Sequence, residues 1–73
     1  MNDPRHELAG AFADIGYARM ALAAGDREEC ILTLQAISRE VAAFKPASKD
    51  DTFRHRKVTT LLDRMIERYR SNH

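Results

Sequence analysis

The stretch Ala21-Leu22-Ala23-Ala24-Gly25-Asp26-Arg27-Glu28-Glu29-Cys30 decides the fold. Gly25 suits the left-handed position that ends a helix. Asp26 suits the cap of the next helix, with Glu29 three residues on, as in a capping box. A chain that stops one helix and starts another within two residues folds back on itself. The spacing therefore predicts an antiparallel helical hairpin, with a first helix over about 4–24 and a second over about 27–44.

Upstream, Asp3 followed by Pro4 reads as a helix start, because proline at the first helical position loses no needed N–H. The large apolar residues of the first helix are Leu8, Phe12, Ile15 and Leu22. With Arg19 included they fall four, three, four and three apart, the rhythm of a narrow bundle seam. Arg19 is thus a polar residue in an apolar row. Either it sits at the bundle edge with its head in water, or it pairs with a carboxylate across a dimer seam and fixes register. Gly10 and Gly16 weaken this helix by about 1 kcal/mol each relative to alanine and allow close approach of a neighbour.

The second helix repeats the rhythm with Cys30, Leu34, Ile37, Val41 and Phe44, widened by Ile31. Folding at Gly25 is expected to bring Leu22 near Cys30 and Phe12 near Val41. Acidic Glu28 and Glu29 at its start and Lys45 at its end agree with the helix dipole. Residues 45–52 form the one linker, since Pro46 disfavours helical geometry at Lys45. A third helix begins between Lys49 and Phe53 and is drawn over about 52–70. Its apolar residues Val58, Leu61, Leu62, Met65, Ile66 and Tyr69 span about 140° of the helical wheel, a broad face suited to covering the hairpin. The whole chain, 1–73, is then one small all-α three-helix domain. Phe53 lies off that face, so it either packs back from the linker or stands in solvent.

The segment from Gly25 to Ile31, followed by Leu34 and Gln35, resembles the turn and second helix of a tetratricopeptide repeat. In that family Gly-Asp opens the turn, a small residue packs into the first helix, and a large apolar residue follows four positions later; Cys30 and Leu34 match those two. The pattern departs at Asp14, where the family has tryptophan, and at Ala21, where it has tyrosine, and no second repeat follows. The resemblance implies protein binding rather than catalysis. Ala21 and Gly25 also have the spacing of a DNA-reading helix-turn-helix, but Glu28 and Glu29 would then face phosphates.

The net charge of +1 divides unevenly: residues 1–44 carry four Lys/Arg against seven Asp/Glu, and residues 45–73 carry eight against four. The excess of cations gathers on the third helix. Arg54, Lys57, Arg64 and Arg68 fall within about 80° of one another on the wheel. Opposite lie Asp63, Glu67, Arg56 and Arg70, with Arg64–Glu67 and Glu67–Arg70 spaced for local pairs. The basic stripe is the candidate partner-binding surface and Arg19 the candidate interface or register residue.

No constellation carries a chemistry. His6, His55 and His73 lack metal-ligand spacing. The lone cysteine, Cys30, sits in an apolar stripe and reads as a buried structural thiol. No phosphate loop, nucleophile set or paired carboxylates occur. The expectations are therefore no cofactor, no metal and no catalytic site. No apolar run reaches the length of a membrane span, and the start lacks the order of a signal peptide, so a cytoplasmic protein away from membranes is expected. The functional expectation is a small non-catalytic protein–protein interaction module, an adaptor or regulator that binds a partner through a helical face. The alternative is a nucleic-acid-binding protein using the basic stripe. Homodimerisation is also expected, because a chain this short has few other ways to stabilise a single core.

Overall fold

The computed structural model describes residues 4–71, with side chains from Leu8 onward. Three helices follow one another: α1 (Pro4–Ala23), α2 (Arg27–Ala43) and α3 (Lys49–Ser71). Each packs on both of the others, so the molecule is the expected all-α three-helix domain, a hairpin covered by a third helix. Asp3, read as the cap of α1, lies outside the described residues.

The turn between α1 and α2 closes by a pair of backbone bonds. Gly25 N donates to the Leu22 carbonyl at 3.0 Å and Asp26 N to the Ala21 carbonyl at 2.9 Å. Together they make the double bond pattern that satisfies the last carbonyls of a helix. The geometry needs Gly25 at φ +85°, where a Cβ would crowd the backbone. Asp26 then caps α2, its Oδ1 accepting from Glu29 N at 3.1 Å. The reciprocal half of the capping box is not made. The Glu29 carboxylate instead accepts the Tyr17 hydroxyl at 3.1 Å, tying the start of α2 to the exposed flank of α1.

α2 ends at Ala43, and Phe44 N–H is shared between the Glu40 and Val41 carbonyls as the chain turns extended. α3 then starts at Lys49, at the early end of the expected range, because Ser48 is its cap. Ser48 Oγ accepts from Asp51 N at 3.1 Å, and Asp51 Oδ2 accepts from Ala47 N at 3.3 Å. This reciprocal arrangement explains a carboxylate that is only 8% exposed, since its charge faces backbone N–H groups at a helix N-terminus.

The core contains Cys30, Leu34, Ile37, Val41 and Phe44 from the α2 side and Val58, Leu62 and Met65 from α3. From α1 it takes Leu8, Ala11, Ala18 and Leu22, with Ile15 partly buried between them. The seam of α1 therefore runs Leu8, Ala11, Ile15, Ala18, Leu22 and leaves out the exposed Arg19, while Phe12, partly buried, packs against the core from beside it. Both rows have helical spacing, and burial at Ala11 and Ala18 decides between them. Ala11, not Phe12, accordingly lines the same hollow as Val41, while Phe12 turns toward α3.

Contacts at both ends of α2 hold α3 in place. The guanidinium of Arg27 lies 4.3 Å from the centre of the Tyr69 ring, and its Nη1 donates to the Tyr69 carbonyl at 3.2 Å. At the other end the rings of Phe44 and His55 stack with centroids 5.8 Å apart and planes 16° from parallel. His55 Nε2 donates to the Val41 carbonyl at 3.0 Å.

Candidate functional surface

Arg19, one residue past Ala18 and about 100° further round the helix, is exposed. It projects from α1 to the edge of the groove that separates α1 from α3. There it meets the residues that α3 turns toward α1. Phe12, Ile15, Leu61 and Met65 form the apolar floor, and Arg19, Arg64 and Arg68 the rim, of a groove of about 480 Å³. The three arginines also border an adjoining hollow that runs on past Leu22 and Ala23 toward Ser71.

The structure thus brings together two sets of residues that the sequence left apart. Arg64 and Arg68 belong to the stripe on α3, which continues through Lys57 to Arg54 at its N-terminal part. Lys57, Arg64 and Arg68 are exposed and Arg54 is half-buried. Arg19 joins the stripe from α1. Of the two settings expected for Arg19, its exposure agrees with a place at the bundle edge.

No ion pair or hydrogen bond engages the side chains of Arg19, Arg64 or Arg68 among the described residues. Glu67 borders the same hollow, yet neither the Arg64–Glu67 nor the Glu67–Arg70 pair expected from spacing is formed. Such exposed pairs contribute only about 0.2–0.5 kcal/mol, little against the entropy of holding two long side chains together. The rim consequently presents three unpaired guanidiniums beside an apolar floor, with the Glu67 carboxylate on the adjoining hollow.

Gly16 lies in the wall of this groove. A Cβ at that position would meet nothing within 4 Å. Packing within the chain does not require a glycine there. Phe53, whose place the sequence left open, is 67% exposed on α3 one turn before Lys57.

The remaining candidate groups have structural settings. Cys30 is fully buried in the core, and burial pushes its thiol above the ordinary value, against a smaller opposing pull from the Arg27 charge. That is the setting of an inert packing thiol. His55 is held by Phe44 and the Val41 carbonyl; His73 and the side chain of His6 lie outside the described residues. Among the described residues no three His, Cys, Asp or Glu side chains gather as a metal site, and no helix is long and apolar enough to cross a membrane.

Sequence reasoning singled out all five cations, with Arg19 apart from the other four, and missed the floor of the groove. Phe12 had been placed against α2, and the hydrophobic row had been drawn through Arg19. The signal available was the run Ala11, Ala18, Ala21, small residues repeating at seam spacing on a helix whose large residues did not settle the phase. Comparison with known proteins finds no family model, no curated relative and no solved structure that matches this chain.

Proposed function

We propose that the protein is a small non-catalytic interaction module, an adaptor or regulator, that binds a protein partner through the face formed by α1 and α3. One observation carries the reading: three guanidiniums from two helices, Arg19, Arg64 and Arg68, surround an apolar groove and none is paired within the described chain. Like charges gathered on one surface repel one another, and an anionic partner would relieve that repulsion. Arg54, Lys57 and the exposed Phe53 extend the same surface. Aromatic and arginine side chains of this kind are the usual anchors of protein interfaces. The likeness of the hairpin to a tetratricopeptide unit supports the same class of function.

The test is affinity capture from the native cell, with the tag at either end, using the wild type and an Arg64→Ala/Arg68→Ala variant. A protein held by the wild type and lost by the variant is the expected result. In parallel, random-sequence duplex is titrated at low and moderate salt. Binding to the duplex that falls steeply with salt and disappears in the variant would move the reading to nucleic acid.

A further inference from the structure

We infer that the groove between α1 and α3 receives an amphipathic helix of a partner protein, with acidic side chains flanking its apolar row. The inference rests on the interaction reading above and gives the partner its chemistry. Three properties of the groove select this occupant.

The first is charge. Arg19 stands on the α1 wall and Arg64 and Arg68 on the α3 wall, so an inserted segment is met by cations from both sides. Carboxylates on either flank of the ligand neutralise them, and arginine is the cation best shaped to grip a carboxylate with two parallel bonds.

The second is the floor. Phe12, Ile15 and Leu61 are partly open and Met65 closes the bottom. A nucleic-acid backbone offers phosphates to the rim but no aliphatic side chains to the floor. A helix with large apolar residues at i, i+3, i+4 and i+7 offers both together. Its apolar row fills the groove while its acidic flanks reach the rim.

The third is Gly16. With open space where its Cβ would be, it costs α1 helical stability and returns no packing within the chain. In the wall of the groove it lowers the surface by one side chain, which allows a partner backbone to come close. Gly10 has equally open space but lies by the hollow shared with Asp14 and Glu40 on the α2 side, so it serves as the matched control.

The probe is a fluorescein-labelled 20-residue peptide with leucine at i, i+3, i+4 and i+7 spacing and glutamate on the flanks, titrated by anisotropy with the full chain. Comparators are the same peptide with lysine for glutamate, the same peptide with serine for leucine, and a random 20-base-pair duplex. The expected result is saturable binding of the leucine/glutamate peptide alone, weakened several-fold by raising salt from about 50 to 300 mM. Arg19→Ala and Arg64→Ala/Arg68→Ala should each weaken it at least tenfold. Gly16→Ala should weaken it by a similar factor while melting no lower than wild type, and Gly10→Ala should leave it unchanged. A variant that melts higher and binds worse separates a contact from a folding defect.

Failure of the leucine/glutamate peptide to bind overturns the inference, as does equal binding of the serine peptide or preferred binding of the duplex. If a cellular protein is captured in an arginine-dependent way while the peptide does not bind, the partner has other chemistry: the inference falls and the interaction reading stands. If the peptide fails and capture ignores the arginines, both fall.

Discussion

Arg27 and Tyr69, 42 residues apart in the chain, join the start of α2 to the end of α3 by two contacts at once: the guanidinium lies over the ring at 4.3 Å and donates to the same residue's carbonyl at 3.2 Å. The carbonyl belongs to the last turn of α3, where helical partners run out and a cation is favoured by the dipole. Replacing Arg27 with Ala should lower stability by about 1–2 kcal/mol, since it removes a stacked cation and a charged donor. Arg27→Lys should recover less than half, because an ammonium lacks the planar group that can stack and donate together. Urea unfolding with an unchanged denaturant slope is the measurement.

Glycines at two positions should respond with opposite signs. Gly25→Ala places a Cβ at φ +85° and should cost about 1–2 kcal/mol. Gly10→Ala meets open space inside a helix and should add up to about 1 kcal/mol. In a domain of this size that corresponds to a melting shift of about 4–8 °C per kcal/mol. A gain at both positions would mean that the left-handed turn is not held in solution.

The phase of α1 is open to a direct test. Ala18 is fully buried, so Ala18→Leu should overpack the junction of the three helices and cost about 1–3 kcal/mol. Arg19→Leu changes an exposed side chain one position away and should stay within about 0.5 kcal/mol of wild type. Reversal of the two results would restore the row through Phe12 and Arg19.

Cys30 gives the pH prediction. Its thiol is held above the ordinary value of 9.0 by burial, so in the unfolded chain the proton leaves at a lower pH than in the folded one. The folded state then keeps a proton that the unfolded state has lost. Stability from this source is fully present below about pH 9 and declines as pH rises further toward the folded value. The stability difference between wild type and Cys30→Ala should therefore shrink between pH 8 and pH 10.5 in chemical denaturation. A thiol reagent at pH 8 should react with native protein far more slowly than with protein in denaturant.

Legibility of the fold from the sequence followed how local its determinants were. The turn at Gly25 and Asp26 was visible because its cause lies within six residues, from the Ala21 carbonyl to Asp26 N. The start of α3 was legible only to within five residues, Lys49 to Phe53, because Asp51 looked like one more cap-type residue, whereas its carboxylate reaches back to Ala47 N. Two rows on α1 were equally helical, and the structure buries Ala11 and Ala18 while leaving Arg19 exposed. A reading weighted toward large side chains picks the other row. Glu29 was assigned to its own helix start, but Tyr17 competes for it across the hairpin, 12 positions away. The cationic stripe was half legible: Arg54, Lys57, Arg64 and Arg68 share one helix, while Arg19 joins them only after three helices have packed.

The groove has walls from α1 and α3, which α2 separates in the chain. Neighbouring helices joined by a tight turn form early, whereas docking α3 requires closing a longer loop. If α3 lifts away, the hairpin keeps Phe12, Ile15 and Arg19, the departing helix takes Leu61, Arg64 and Arg68, and the groove ceases to exist. Any molecule that occupies the groove therefore stabilises the docked chain by an amount that grows with its concentration relative to its dissociation constant. Occupancy would then be readable without a label on either component, as slowed hydrogen exchange along α3.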